Sequence, residues 1–171
     1  MAWPIGDSGK KLRESLKGFV ISQLRTSAYA SRLPFGVRIS TQGEEQLPGI
    51  QVVIYSQPDA VEPWLYTPDS GPEAGKLVMD ESHQVALMVK SDGLGVGGKP
   101  EVVSAAHQTL RLLFGAARIE GRPENAALMA LGIFNLREAA EGFDIDTGDG
   151  ADEGAFYKQR LNLTCSTDSY V

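Results

Sequence analysis

Apolar residues recur at the period of an α-helix in two stretches of the chain. Lys10–Thr26 predicts an amphipathic helix with a basic outer face, and Pro100–Phe114 predicts a second helix that starts with a first-turn proline. The expected buried stripes are Leu12, Leu16, Phe19, Val20 and Leu24 in the first helix, and Val103, Ala106, Leu110 and Leu113 in the second.

Short apolar or alternating runs predict five strands, which are Phe35–Ser40, Ile50–Ser56, His83–Lys90, Leu131–Glu138 and Phe156–Ser166. Both faces of His83–Lys90 are apolar, so we expect this strand in the middle of its sheet. Together the runs predict an α+β fold. Its mixed or antiparallel sheet would have about five strands with two main helices packed on it, in a single domain spanning residues 1–171.

The stretch 57–80 differs from the rest of the chain, because it holds four prolines and two glycines around the aromatic residues Trp64 and Tyr66. It predicts a Pro-rich extended loop or arm rather than a regular element. Its aromatic residues would pack either on the protein's own body or on a neighbouring molecule.

Composition excludes several classes of protein. The 171 residues carry a net charge of −6, which argues against a general nucleic-acid binder. No apolar run approaches the roughly 20 residues that span a bilayer, and the first residues do not predict a signal peptide. The single cysteine, Cys165, excludes an internal disulfide framework and a multi-thiolate metal site.

The charge is unevenly distributed along the sequence. Residues 1–38 hold seven basic and two acidic side chains, whereas residues 138–157 hold seven acidic side chains and no basic one. Most charge runs only keep a surface soluble. The alternative is a directional interface, or an acidic surface that faces a polyanion.

A glycine-rich loop is the strongest motif for chemistry. Gly93–Gly98 matches the G-x-G-x-x-G dinucleotide motif, with Glu120 near the position of a ribose-binding acid, and Gly93–Lys99 also fits the start of a phosphate loop. However, Pro100 stands where a phosphate loop needs a hydroxyl, and Asp92 would face the pyrophosphate. A nucleotide-binding enzyme that uses the Gly93–Lys99 loop is therefore the alternative function.

The remaining motifs assign no catalytic residue, metal ligand or cofactor. Gly6–Gly9 resembles the surroundings of a serine-protease nucleophile, but Asp7 and Ser8 are expected there as helix caps. Asp144–Gly150 resembles a calcium loop with the wrong residues at its key positions. His83 and His107 are too far apart in sequence to form a spaced metal set.

The order of predicted elements resembles the tail-terminator (tail-completion) proteins of long-tailed bacteriophages. Three stretches carry the resemblance: the leading helix Leu12–Leu24 before Leu33-Pro34-Phe35, a strand that leads into the helix Pro100–Phe114, and a closing hairpin in which Phe143–Asp152 is followed by the strand 156–164. The pattern covers most of residues 10–166.

The resemblance implies a structural virion protein without catalysis or cofactor, assembled in the host cytoplasm and located in the tail or neck. Such proteins form a homo-hexameric ring that caps the tail tube, stops its growth and faces the head connector. The implied partners are further copies of the chain, the tail tube protein and the head-connector or neck protein. DNA would pass without specific binding, and no membrane would be involved. A head-completion role remains an alternative.

Two sets of residues follow as hypotheses from this implied role. A subunit or partner interface would use the aromatic arm and the basic helix face, with Trp64, Tyr66, Lys10, Lys11, Arg13 and Lys17. An acidic turn would line the lumen of the ring and repel DNA, with Asp144, Asp146, Asp149, Asp152 and Glu153.

Overall fold

A mixed sheet with its main helices on one face organises the chain. The computed structural model describes residues 3–33, 36–44, 49–92, 99–145 and 157–170, without the side chains of 60–65. Within these ranges the helices are α1 (Ser8–Leu24), α2 (Pro100–Ala117) and α3 (Pro123–Ala130). The strands are β1 (Trp3–Pro4), β2 (Arg38–Thr41), β3 (Ile50–Tyr66), β4 (Val78–Ser91), β5 (Ile133–Glu138) and β6 (Tyr157–Tyr170).

The sheet has the order β1-β6-β4-β3-β2, and β5 also pairs with β6. Its centre is antiparallel, because β4 pairs with β3 on one side and with β6 on the other. The β4–β6 ladder runs without a break from Val78 opposite Tyr170 to Ser91 opposite Tyr157. Because each strand residue advances the chain by about 3.3 Å, these 14 residues span about 45 Å. This ladder is therefore much longer than either main helix.

The main core lies between this sheet and the helices. The predicted stripe of α1 is entirely buried, as is that of α2, and both pack with the alternate strand residues Val52, Ile54, Val85, Leu87 and Leu163. The expected α+β class, with helices packed on a mixed sheet, is therefore confirmed. In the described part of the chain, no helix is both long and apolar enough to cross a membrane.

The opposite face of the sheet carries a smaller cluster of Val53, Tyr55 and Ala86. Phe143 and Ile145, on the segment that follows β5, pack against it. The guanidinium of Arg160 donates a hydrogen bond to the carbonyl oxygen of Phe143, which holds this segment against β6.

The expectation that residues 57–80 form a loop or arm without regular structure is wrong for most of the stretch. β3 continues to Tyr66 and β4 begins at Val78, so only 67–77 connects them. Among the described residues β2 pairs with β3 only as far as Ile54, which leaves the later part of β3 as an edge strand. The β3–β4 register shifts between Pro58 and Ala60, and again between Val61 and Leu65, where Pro63 lies. Prolines are tolerated at such bulges and at sheet edges, so they do not end the strand here.

Candidate assembly surface

The basic face of α1 divides into two parts. Lys10 is exposed, with an ion-pair distance of 4.0 Å to Glu14, and the two side chains are 73% and 61% accessible. Lys11 is also exposed. Ion pairs this open contribute little to stability, so both lysines remain available for an external partner.

Arg13 and Lys17 are instead turned toward the protein's own body. Nη1 of Arg13 donates a 2.9 Å hydrogen bond to Oγ of Ser56 on β3, and burial lowers the pKa of Arg13. Nζ of Lys17 lies 2.8 Å from Oε1 of Glu44, and this hydrogen bond lowers the pKa of the Glu44 carboxyl. Of the four bases proposed for an interface, Arg13 contacts β3 and Lys17 contacts the turn that follows β2.

The tip of the sheet is the connection between β3 and β4. Tyr66, the last residue of β3, is 38% exposed, and its pKa is raised by burial and by nearby Asp168. Lys76 places its Nζ 4.0 Å from the centroid of the Tyr170 ring, a cation–π contact between the tip and β6. The side chain of Trp64 lies outside the described residues. Of the two aromatic residues proposed for an interface, only Tyr66 can therefore be placed in the structure.

The acidic turn is described only at its start. Asp144 is exposed. Burial lowers the pKa of Arg160, and the negative charge of Asp144 offsets part of this effect. Asp146, Asp149, Asp152 and Glu153 lie outside the described residues.

A groove between α1 and β2 is a surface that the sequence reasoning missed. It encloses about 540 Å³, and its lining includes Ile21, Leu24, Leu33, Val37 and Ile39 together with Arg25 and Arg38. Both arginines are exposed, and the described residues provide no ion-pair partner for either. In the sequence, Arg25 and Arg38 each stand beside apolar residues, which is the only local sign of this groove. The two arginines come close together only because α1 packs on β2.

A buried polar cluster was also missed. Glu81 on β4 is 3% exposed and accepts hydrogen bonds from Oγ of Ser8, at 3.1 Å, and from Oγ of Ser169, at 2.7 Å. Next to it, Nε2 of His83 lies 2.9 Å from Oγ1 of Thr167. Ser8 is 2% exposed at the first turn of α1, so no substrate can reach it in this structure. The serine of the Gly6–Gly9 motif is thus a structural residue.

The described cysteine and histidines have structural surroundings. Cys165 on β6 lies opposite His83 in the β4–β6 ladder. Burial raises the pKa of the Cys165 thiol to about 12. A thiol with so high a pKa remains protonated and is a poor nucleophile. Nε2 of His107 lies 3.1 Å from the carbonyl oxygen of Arg160, a contact that links α2 to β6.

The neighbourhood of the glycine-rich loop does not fit a dinucleotide site. Residues 93–98 themselves lie outside the described ranges. Oδ2 of Asp92 accepts a hydrogen bond of 2.9 Å from the backbone N–H of Gly49. Glu120 follows the far end of α2, a helix of 18 residues that is roughly 27 Å long. Among the described elements, α2 leads to α3 and to antiparallel β5, whereas the motif requires a parallel βαβ unit.

Comparisons with known proteins include a distant structural likeness. No protein-family profile matches the chain, and no curated protein matches it. A solved structure, the PVC sheath/tube terminator of an extracellular contractile injection system in its extended state, aligns with a TM-score of 0.45 and 12% identity. The alignment covers 100% of this chain and 58% of that chain. The likeness assigns no residue of this chain a role.

Proposed function

We propose that the protein is a structural tail component, a tail terminator or neck protein that forms a ring. The ring caps the tail tube, stops its growth and joins the tube to the head connector. The observation that carries the proposal is the polarity of the subunit. The exposed bases Lys10 and Lys11 lie on α1, which packs on one face of the sheet, whereas exposed Asp144 of the acidic stretch lies between Phe143 and Ile145, which pack against the other face.

A subunit that carries different charges on its two faces favours head-to-tail association, in which different patches meet. Such an interface is heterologous, and it generates a closed ring when the rotation between neighbours closes. Six copies are proposed from the family resemblance. The partners proposed are further copies of the chain, the tail tube protein and the head-connector protein. The location is the tail or neck of the particle.

The absence of an accessible catalytic cluster in the described ranges supports a structural role. The most enzyme-like group there is Ser8, Glu81 and His83, and each of these residues is at most 3% exposed. Groups this deeply buried can fix the fold but cannot meet a substrate. The proposal therefore assigns no catalytic residue and no cofactor.

Two surfaces have roles in this proposal. Lys10 and Lys11, with Trp64 and Tyr66 on β3, contact neighbouring subunits or the tube, while Arg13 and Lys17 support that surface from inside the subunit. The acidic turn, with Asp144, Asp146, Asp149, Asp152 and Glu153, faces the pore. Carboxylates there would repel the phosphate backbone, so that DNA passes without adhering.

A gene knockout tests this role. The gene for this protein is disabled in the phage or injection-system gene cluster that contains it. We expect electron microscopy to show tubes of variable length and heads without joined tails. Wild-type protein supplied in trans should restore uniform tails, and Lys10→Glu/Lys11→Glu should restore them poorly. Tails of normal length that join heads in the absence of the protein would contradict the proposal.

A further inference from the structure

The two ends of β3 carry surfaces that match each other in chemistry. At one end β2 pairs with Gln51–Ile54 beside the groove of α1. At the other end β3 leads into the tip loop, residues 67–77. The partners of Ile54 and Tyr66 on β4, Leu87 and Val78, are nine residues apart, which is about 30 Å at the rise of a strand. The groove and the tip of one molecule therefore cannot touch each other, but those of two molecules can.

The tip loop is a preformed projection. Three backbone hydrogen bonds brace it: Ala74 N–H to Gly71 O at 3.1 Å, Gly75 N–H to Pro68 O at 3.2 Å, and Lys76 N–H to Glu73 O at 3.0 Å. The cation–π contact between Lys76 and Tyr170 fixes it to β6. A loop already ordered in this way loses little conformational entropy on binding.

The tip combines apolar and acidic groups. Leu77 is 47% exposed and Tyr66 is 38% exposed, so the tip presents two large apolar side chains at its surface. Asp69 and Glu73 lie on the same loop, and the described residues provide no ion-pair partner for either. The only base of the loop, Lys76, is already placed over Tyr170.

The groove has the complementary composition. Its apolar lining is partly exposed, and its two arginines, Arg25 and Arg38, are without ion-pair partners among the described residues. Lys17 and Glu44, at the same groove, neutralise each other in a 2.8 Å ion pair. The net charge of the described groove lining is therefore that of the two arginines, opposite to the two carboxylates of the tip.

We propose that the tip loop 67–77 of one subunit docks into the α1–β2 groove of the next copy of the chain. Leu77 and Tyr66 cover the apolar lining, while Asp69 and Glu73 pair with Arg25 and Arg38. Each subunit uses its tip toward one neighbour and its groove toward the other, so the contact is heterologous and suits a ring. This inference rests on the proposed ring and names the contact that closes it.

Charge reversal tests the contact, with sedimentation velocity as the readout. Arg25→Glu/Arg38→Glu and Asp69→Arg/Glu73→Arg should each weaken self-association by about tenfold or more, because like charges then meet at the contact. Arg118→Glu/Arg137→Glu is the matched control, since it reverses two exposed arginines on another surface. We expect this control to assemble like wild type. Circular dichroism and thermal melting identify any variant that fails to fold.

Mixing the two disrupted variants supplies the rescue. The acidic groove of Arg25→Glu/Arg38→Glu should accept the basic tip of Asp69→Arg/Glu73→Arg, so the mixture should assemble when neither protein does so alone. The contact is overturned if wild type forms a ring that either folded variant also forms, or if the mixture stays dissociated. Wild type that remains monomeric, alone and with tube protein, would overturn the ring proposal itself together with this contact.

Discussion

Oγ of Ser8 donates a 3.1 Å hydrogen bond to Oε1 of Glu81, which joins the first residue of α1 to a central strand of the sheet. Oε2 of the same carboxyl accepts from Ser169 on β6 at 2.7 Å. The carboxyl group of Glu81 thus ties together one helix and two strands that are far apart in sequence. Because the cluster is buried, its hydrogen bonds hold α1 in a fixed position on the sheet.

The first prediction concerns this cluster. Glu81→Ala should lower the free energy of unfolding by about 2–4 kcal/mol, because the Ser169 hydroxyl loses its acceptor, the Ser8 hydroxyl keeps only the carbonyl oxygen of Ile5, and a cavity forms. Ser8→Ala should cost about 1 kcal/mol. Urea denaturation measures both values, and the double variant should show coupling of at least about 0.5 kcal/mol.

Ser22→Ala is the control for this prediction. Ser22 lies on the exposed side of the same helix and donates to the carbonyl oxygen of Phe19, so its removal should change stability by about 0.5 kcal/mol or less. If Glu81→Ala were as mild as Ser22→Ala, the cluster would not hold the helix to the sheet.

The second prediction concerns pH. Burial lowers the pKa of His83 from 6.5, against the raising effects of Glu81 and Asp80. The unfolded chain then binds a proton near pH 6.5 that the folded protein does not bind. Stability from this residue is present above that pH and is lost as the pH falls below it, by at most about 1.4 kcal/mol per pH unit.

Chemical denaturation of wild type and His83→Phe between pH 7 and pH 5.5 measures this dependence. The variant should lose the part of the slope that His83 supplies, whatever its absolute stability. Equal slopes in the two proteins would mean that His83 does not resist protonation in the folded state.

The third prediction concerns the segment that crosses the second face of the sheet. A Cβ added at Gly142 would overlap the side-chain ends of Asn162 and Arg160. Those ends can move, but moving them breaks the hydrogen bond from Arg160 to Phe143 O. Gly142→Ala should therefore destabilise the protein by about 1–2 kcal/mol in thermal or urea unfolding.

Gly18→Ala is the matched control. Gly18 lies inside α1, where an added Cβ would meet nothing within 4 Å. Alanine favours a helix over glycine, so this change should stabilise the protein by about 0.5–1 kcal/mol. If Gly142→Ala also proved stabilising, the close packing of segment 139–145 on β6 would be disproved.

The sequence predicted those parts of the fold that depend on local periodicity. The buried stripe from Leu12 to Leu24 and the two-sided apolar pattern of His83–Lys90 follow from helical and strand periods, and both are confirmed. The extension of β3 through Pro58 was not predicted, because a proline signals a break unless its edge position is known. That position depends on where β2 stops pairing, which is a tertiary property.

The candidate surfaces were predicted less completely. Lys10 and Lys11 are exposed on the basic helix face, but periodicity could not show that Arg13 and Lys17 would reach Ser56 and Glu44. The groove at Arg25 and Arg38 arises only when α1 packs beside β2. Such proximity between distant segments carries no local sequence signal.

The fourth prediction concerns the proposed lumen. The neutral substitutions Asp144→Asn, Asp146→Asn, Asp149→Asn and Asp152→Asn should leave folding and particle assembly intact, because they retain the size of each side chain. DNA delivery should fall by about tenfold or more, since the duplex then meets a less repulsive wall. Counting infectious particles against total particles measures this effect. Unaltered infectivity would show that these carboxylates do not repel DNA in the lumen.

The central claim is that the chain assembles into a ring, and its mass in solution tests this most directly. Sedimentation velocity and native mass spectrometry should be run at increasing concentration, alone and with tail tube protein. We expect a discrete closed oligomer, a hexamer by the family resemblance, which tube protein stabilises. A protein that stays monomeric at the highest concentration and remains so with tube protein would contradict this claim.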